Sequence, residues 1–293
     1  MHHNFKNKAV RDLAWAISSV GLLNHSKAVD DHILVKEYEK FIPQLNKLDK
    51  NPRALIEFLD SKNTRRLGHY FEQLLFFWLE QSKRYTIIAS NLPLRSEKKE
   101  TLGEVDLIVY DTELKLHQHW ELAVKFYLAH QRQGETTYIG PNANDYFHLK
   151  LDKLVTRQCK ILETVEGEKI LNQLKIHEIE TKLFVKGCLY YHPEQNYISK
   201  EFIHPEHSRS WWIYLNEAEA FLSDENQYAL IHKNEWLSTP EHPHNLIRKA
   251  ECLDLIHHQL SESPRSLQLA CYKDNVLIDQ GFVTRDTWPK LIV

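Results

Sequence analysis

The sequence predicts a mixed α/β fold of the α+β kind, in which a sheet has at least one helix buried against it. Residues 65–82 read RRLGHYFEQLLFFWLEQS, and apolar side chains cover nearly the whole circumference of this helix, as in buried helices. Residues 118–128 alternate between apolar and polar side chains, which is typical of a strand with one face in the core. Residues 104–110 alternate in the same way, so we expect two neighbouring strands.

The predicted core elements follow one another in the order αβββαβ. They are a helix at residues 65–82, strands at residues 85–92, 104–110 and 118–128, a helix at residues 145–160 and an apolar strand at residues 183–191. A turn-rich bend at residues 139–145 ends in residues that cap helices and starts the second helix. This order assigns residues 63–198 to one core domain.

Helices are predicted before this core, and a mixed extension is predicted after it. Residues 1–62 form a helical lead-in with an amphipathic helix at 9–23, a candidate helix at 31–48 and a short helix at 51–60. Pro43 is expected to break or kink the second of these helices. Residues 199–293 form an α+β extension that we expect to pack on the core. Its predicted elements are strands at 210–215 and 228–232, a helix at 246–259 and a hairpin at 267–272 and 276–283.

Composition and charge exclude several classes of protein. The 293 residues are 42% hydrophobic with a formal net charge of −3, which argues against a protein that coats nucleic acid indiscriminately. The four cysteines lack a CxxC spacing and no glycine-rich phosphate loop is present, so neither a zinc ribbon nor nucleotide chemistry is expected. The sequence shows no signal-peptide pattern and no transmembrane stretch, which predicts a cytoplasmic protein with no membrane partner. It carries no signal for an oligomeric state.

Acidic residues stand in the two alternating strands. If the strands pair with their apolar sides in the core, Asp106 and Glu121 lie together on the other face, and Lys125 shares that face. Two carboxylates and a lysine can hold a hard cation such as Mg²⁺ while the ammonium faces developing negative charge. The alternative is a sheet with one face in water, where such side chains only solvate the surface.

Glu72 lies on the predicted buried helix among apolar neighbours. A carboxylate in such surroundings is costly unless it has a partner or a metal. It either pairs with a nearby arginine or histidine or acts as a ligand, and both alternatives stay open.

Several motifs carry a resemblance to known families. The helix with Glu72, the strand GEVDLIV and the strand with ELAVK, in the order αβββαβ, resemble the core of the PD-(D/E)XK or restriction-endonuclease-like nuclease superfamily over residues 65–192. More narrowly, LGHYFEQLLFFWLE, GEVDLIV, HWELAVKFYL and IGPNANDYFHLKLDKL are similar to the bacterial domain-of-unknown-function 1853 family, a resemblance that covers most of the chain.

The nuclease resemblance implies a metal site and a substrate. It implies that Asp106 and Glu121 bind Mg²⁺ or Mn²⁺, that Glu72 is the helix acid that supports the metal, and that the substrate is DNA or RNA. Glu104 and His119 would then tune the surroundings of the metal.

One departure from the superfamily pattern concerns the lysine. Its usual position, two residues after the acid, holds Ala123, and Lys125 stands two residues further along, about 6 to 7 Å at ~3.3 Å per residue. Lys125 would reach back on its flexible stem and position the attacking water or stabilise the phosphorane charge. Alternatively, the chain is a catalytically inactive nuclease-fold protein that serves as a nucleic-acid-binding or protein-interaction module.

A basic stripe follows the acidic strands on the predicted helix at 145–160. Lys150, Lys153 and Arg157 recur at intervals of three and four residues, which places them on one helix face. Such a face suits the phosphates of a nucleic acid, although a solvated helix surface has the same pattern. The sequence therefore predicts a metal-dependent nuclease with a local basic surface, with the inactive module as the alternative.

Overall fold

One mixed sheet of ten strands runs through the described part of the chain and is flanked by helices. The computed structural model describes residues 5–62, 64–96, 98, 100–239 and 245–290. The helices are α1 (Lys8–Ser18), α2 (Asp31–Lys50), α3 (Arg53–Asp60), α4 (Leu67–Gln81), α5 (Phe147–Thr156), α6 (Val165–Gln173), α7 (Ala218–Phe221) and α8 (Lys249–Glu262). The strands are β1 (Tyr85–Arg95), β2 (Thr101–Asp111), β3 (Leu116–Arg132), β4 (Glu135–Ile139), β5 (Ile179–Tyr191), β6 (Arg209–Tyr214), β7 (Gln227–Ile231), β8 (Ile247–Arg248), β9 (Leu267–Lys273) and β10 (Val276–Thr284).

The sheet has the order β1-β2-β3-β5-β6-β10-β9-β7-β8, with β4 paired to β3. Strands β1, β2 and β3 are antiparallel neighbours, whereas β3, β5, β6 and β10 run parallel to one another. The pairing of β5 with β6 carries the sheet from the predicted core into the C-terminal part of the chain without interruption. The molecule is thus a mixed α+β protein with a large sheet.

Helix α4 is buried as predicted, because it packs on the sheet beneath two further helices. Its side chains share one apolar core with those of α1, α2 and the sheet. At the centre of this core the Trp120 ring lies 5.4 Å from Phe184 in a stacked arrangement and 5.1 Å from Tyr85 edge to face. The opposite face of β3 and β5 packs on α5 through Phe147 and Leu154.

Two helices depart from the sequence expectations. Helix α2 does not end at Pro43 but continues to Lys50, because buried Phe41 and Leu45 keep it packed on both sides of the proline. The helix expected at 145–160 ends at Thr156, and a 3-10 helix, Gln158–Glu163, follows. Buried Cys159, Ile161 and Leu162 hold that tighter turn against the sheet.

The segment between α1 and α2 joins the edge of β5. The backbone of Leu22 donates to Val185 at 2.8 Å, and the backbone of Leu183 donates to Lys27 at 2.7 Å. These bonds occupy β5 where β6 no longer pairs with it. The helical lead-in is therefore hydrogen-bonded into the sheet.

Asp12 joins three distant parts of the chain. Its carboxylate is fully buried and accepts hydrogen bonds from Lys8 Nζ at 2.6 Å, from Tyr70 of α4 at 2.8 Å and from Ser238. A buried carboxylate is tolerated only when it is paired and hydrogen-bonded in this way. Asp12 thus fixes α1 against α4 and against the segment that follows β7.

Among the described residues, no helix is both long enough and apolar enough to cross a membrane.

Candidate active site

An acidic pair lies where the ladder between β2 and β3 stops. The two strands pair from Asp111 opposite Leu116 to Leu107 opposite Trp120. Beyond that point the N–H of Leu122 is bound by the side chain of Asp106, whose Oδ2 accepts it at 2.9 Å. This bond turns the Asp106 carboxylate toward β3, beside Glu121. The alternating pattern of both strands thus brings the two predicted acids together.

Glu121 is fully buried, and both of its carboxylate oxygens have partners. Nε2 of His119 lies 2.8 Å from Oε1, and Nε2 of Gln158 donates to Oε2 at 3.0 Å. Burial lowers the pKa of His119 to about 4, so its imidazole is neutral near pH 7. His119 and Gln158 therefore orient Glu121 without supplying a positive charge.

Burial keeps protons on the acidic pair. It raises the pKa of Glu121 to about 8, although a hydrogen bond with Asp106 opposes this shift. Burial and the charge of Glu121 raise the pKa of Asp106 to about 7, although the bond from Leu122 opposes this shift. Glu104, exposed on β2, adds its negative field to both groups. The surroundings thus favour the neutral forms of both carboxyl groups.

Glu72 approaches this pair from α4. Its carboxylate is 19% exposed and lies 3.2 Å from His69 Nδ1, so it pairs with a histidine, one of the two roles that the sequence left open. Burial and the charge of Asp106 raise the pKa of Glu72, while His69 opposes the shift. Glu72 therefore lies in the electrostatic field of Asp106.

Asp106 and Glu121 form a two-carboxylate site. In the described part of the chain, no group of three or more His, Cys, Asp or Glu side chains is placed to hold a metal ion. Mg²⁺ is commonly held by one or two carboxylates, with water and substrate phosphates as its other ligands. The residues present fit such a cation, because buried carboxylates without a cationic partner are strongly disfavoured in their charged form.

Lys125 lies further along β3 and faces a cleft of about 1020 Å³. It is four residues from Glu121, about 13 Å along a strand, and no hydrogen bond between described residues joins it to either carboxylate. Burial and the charge of Lys150 lower its pKa, while Asp145 and Asp106 oppose this. Lys125 also lines a smaller cavity of about 200 Å³ that includes Gln158. Lys125 therefore lines both the cleft and the cavity bordered by Gln158, the hydrogen-bond partner of Glu121.

Gly187 allows β5 to approach β3 at Lys125. The two residues are partners in the parallel ladder, and a Cβ atom built on Gly187 would lie 1.8 Å from the Lys125 carbonyl oxygen. Gly187 also has a φ of +154°, which disfavours other residues. Its role in placing Lys125 was not visible in the sequence, where an isolated glycine in a strand signals only a close approach of some kind.

Among the charged residues that line the cleft, cations predominate. Its cationic residues are Lys8, Arg65, Arg66, Lys125, Lys150 and Lys233, and its acidic residue is Asp145. Of the predicted basic stripe, Lys150 lines both cavities, Lys153 lines the smaller one and Arg157 lines neither. The pair Arg65 and Arg66 before α4 is visible in the sequence as a local basic signal, whereas Lys8 and Lys233 are brought in by tertiary contacts alone.

Comparison with curated proteins and with solved structures gives no match. The model of one family, described as Domain of unknown function (DUF1853), matches residues 11–281. This match begins in α1 and ends in β10, so it includes the acidic pair and most of the residues that line the cleft. The chain therefore belongs to the DUF1853 family of domains of unknown function.

Proposed function

We propose that this protein is a Mg²⁺- or Mn²⁺-dependent nuclease that hydrolyses phosphodiester bonds in DNA or RNA. The observation that carries the proposal is the pair of half-buried Asp106 and fully buried Glu121, which has no lysine or arginine partner among the described residues. A divalent cation would compensate both charges and so offset the effect of burial, which raises the pKa of both groups. Such a pair is costly in a protein that has no use for a cation.

The order of elements supports a restriction-endonuclease-like core. Helix α4, strands β1, β2 and β3, helix α5 and strand β5 follow the αβββαβ order, with the short β4 and α6 as additions. Glu72 on the helix, Asp106 on the second strand and Glu121 on the third stand where the PD-(D/E)XK pattern has its acids. The sheet then continues beyond β5 with strands that this core does not require.

Each residue of the site has a role in the proposed reaction. A bound divalent cation supplies Lewis-acid polarisation of the scissile phosphate. Asp106 and Glu121 would hold it, and His119 and Gln158 keep the Glu121 carboxylate in its orientation.

Lys125 is the cationic group of the site. Its ammonium group, on the wall of the cleft, would stabilise the negative charge that develops on the phosphate. Glu72 adds negative charge beside Asp106 and so increases the attraction for a cation.

A second candidate is a binding module without catalysis. Ala123 stands in the position of the superfamily's lysine, and the nearest lysine on β3 is four residues from Glu121. In that case the cationic cleft would bind a nucleic acid and the acidic pair would be a remnant.

Cleavage assays separate these candidates. Purified protein with Mg²⁺ or Mn²⁺ is expected to cut single-stranded, double-stranded or branched DNA or RNA, and a chelator is expected to stop it. Asp106→Ala should lose cleavage and calorimetric metal binding together, whereas Asp254→Ala, an exposed acid on α8, should keep both. Folded protein that binds metal but cuts none of these substrates supports the binding module. Folded protein that neither binds metal nor cuts contradicts the nuclease proposal.

A further inference from the structure

The cleft beside Lys125 is assembled from five separate stretches of the chain. They are Lys8 of α1, residues 64–70 at the start of α4, residues 124–127 of β3, residues 141–150 and residues 233–236. Contacts between distant elements hold its walls together. Tyr127 donates to Asp145 at 3.1 Å, and Tyr70 and Lys8 both bind Asp12. These contacts stabilise the arrangement of the cleft walls.

Several of its cations are available to a ligand. Arg65, Arg66 and Lys150 are exposed, and Lys125 is half-buried. None of these four residues makes an ion pair with any described residue. Lys8 is paired with Asp12, and Lys233 lies over the Trp236 ring at 5.6 Å. In a protein whose net charge is −3, four unpaired cations on one cleft form a local positive field for an anion.

The start of α4 adds to this field. Leu67 and Gly68 line the cleft, and Arg66 at the N-cap position of the helix makes no side-chain capping hydrogen bond. The first N–H groups of a helix and its dipole favour an anion at that end. This helix terminus and the two arginines act on the same wall of the cleft.

Part of the cleft lining is apolar. Val124, Phe126 and Trp236 contribute to it, and the Trp236 ring is held edge to face against Phe126 and Phe282 at 5.5 and 5.1 Å. Grooves that carry single-stranded nucleic acid combine cations along the backbone with aromatic side chains for the bases. Simple polyanions have no use for such an apolar lining.

The size of the cleft distinguishes a single strand from a duplex. Its volume of about 1020 Å³ is close to that of pockets that enclose one drug-sized ligand. Proteins read duplex DNA by inserting elements into grooves that are roughly 6 to 12 Å wide, and a duplex itself does not enter a pocket of this size. A short run of unpaired nucleotides does.

We infer that this cleft binds single-stranded nucleic acid, with Arg65, Arg66, Lys125 and Lys150 on the phosphates and the apolar part of the lining against the bases. The inference rests on the proposed function in that it names the substrate of the same site as single-stranded. A strand bound there lies against Lys125, which also faces the cavity that contains Gln158, the partner of Glu121. The binding itself requires no metal.

The test measures binding in the presence of a chelator. Fluorescence anisotropy of a labelled oligonucleotide should show tighter binding of a single strand than of the duplex of the same sequence. Loss of two phosphate contacts in the double variant Arg65→Ala/Arg66→Ala should reduce the slope of log affinity against log salt by about 1.4, at ~0.7 per phosphate for single strands. Arg132→Ala, an exposed arginine outside the cleft lining, should leave that slope unchanged.

Three outcomes would overturn the inference. They are duplex binding as tight as that of the single strand, an unchanged salt slope in the double variant, and displacement of the strand by inorganic polyphosphate as effective as that by unlabelled strand. Single-strand binding of the expected kind without any metal-dependent cleavage would leave the inference standing and contradict the nuclease proposal. If the wild type cleaves nucleic acid but the double variant shows an unchanged salt slope, the nuclease proposal stands and the inference is contradicted.

Discussion

The Asp106 carboxylate accepts the backbone N–H of Leu122 at 2.9 Å, at the point where β2 and β3 cease to pair. Glu121 stands one residue before Leu122, so this hydrogen bond holds Asp106 of β2 beside Glu121 of β3. The bond stabilises the charged form of Asp106 but is outweighed by burial and by the neighbouring carboxyl group. The stability of the metal-free protein should therefore depend on the protonation of this pair.

Asp106→Asn should stabilise the metal-free protein at pH 8 by roughly 1 to 3 kcal/mol. The pKa of Asp106 is raised to about 7 in the folded protein, so the folded state retains a proton that the unfolded chain releases above about pH 4. Wild type thus loses stability as the pH rises from about 4 to about 7, and the asparagine variant escapes this loss. Urea unfolding at pH 5 and pH 8 should show that the free energy of unfolding of Asp106→Asn exceeds that of wild type by more at pH 8 than at pH 5.

Asp254→Asn, at an exposed position on α8, is the control for this comparison and should show no such growth. An Asp106→Asn advantage that is the same at both pH values would contradict the assignment of a raised pKa to Asp106.

Binding of Mg²⁺ or Mn²⁺ at pH 6.5 should release about one proton or more per site. Burial keeps protons on Asp106 and Glu121, and carboxylates must lose them to bind a cation. Calorimetric titrations in buffers of different ionisation enthalpy measure this number directly. Metal affinity should rise between pH 6 and pH 8, and proton release should fall toward zero at pH 9. Metal binding at pH 6.5 without proton release would place the ion elsewhere.

Lys125→Ala should reduce cleavage by about a hundredfold to a thousandfold while metal binding stays unchanged. The ammonium group lines the cleft and is not a metal ligand, so its loss removes charge stabilisation of the transition state and a phosphate contact but leaves the metal site intact. Single-turnover cleavage and metal calorimetry on the same preparation test this pairing of effects. Lys36→Ala, an exposed lysine on α2, is the matched control. Equal cleavage rates for Lys125→Ala and wild type would remove Lys125 from the reaction.

Adding Ala123→Lys to the Lys125→Ala variant should restore part of the lost cleavage. Position 123 lies two residues from Glu121 on the same face of β3 and lines the smaller cavity, which has room for a side chain. A restored rate, measured under single-turnover conditions, would indicate that the remainder of the site is competent. A folded double variant that still binds metal but gains no activity would contradict this placement.

Gly187→Ala should destabilise the protein by about 3 kcal/mol or more. Its Cβ atom would lie 1.8 Å from the Lys125 carbonyl oxygen, so β3 and β5 would have to separate. Gly68→Ala is the matched control, because a Cβ atom at that position would have nothing within 4 Å and alanine favours a helix. Urea unfolding should show a large decrease in the free energy of unfolding for Gly187→Ala and no decrease for Gly68→Ala. A Gly187→Ala protein as stable as wild type would contradict the close approach of the two strands.

The sequence predicted the acidic pair because both of its members lie within alternating strands. A period of two determines the face of each side chain, and the pairing of two such strands then brings Asp106 and Glu121 together. The same rule could not place Lys125 in the cleft, since the cleft walls come from segments far apart in the chain. Strand β4 and helix α6 were missed because they are short and their residues carry no strong periodic pattern.

The observed ends of β3 and α2 differ from the predicted ends because residues distant in the chain determine them. Strand β3 is predicted at residues 118–128 but spans Leu116–Arg132, because β4 pairs with its far end and extends it. Likewise, the length of α2 depends on buried residues on both sides of Pro43, which outweigh the local effect of the proline. Tertiary packing decided these cases, and local sequence carries little information about it.

The hydrogen bond between Asp12 and Ser238 spans 226 residues and affects the order in which the protein can fold during its synthesis. At roughly 5 to 20 residues per second, helix α1 waits about 10 to 45 s after leaving the ribosome until residue 238 follows. Strand β6 likewise has no partner on its far side until β10 has been made. At the same rate β6 waits about 4 to 14 s. The nascent chain therefore exposes part of α1 and one edge of its sheet while synthesis continues, and chaperones that shield apolar surface at the ribosome would find both.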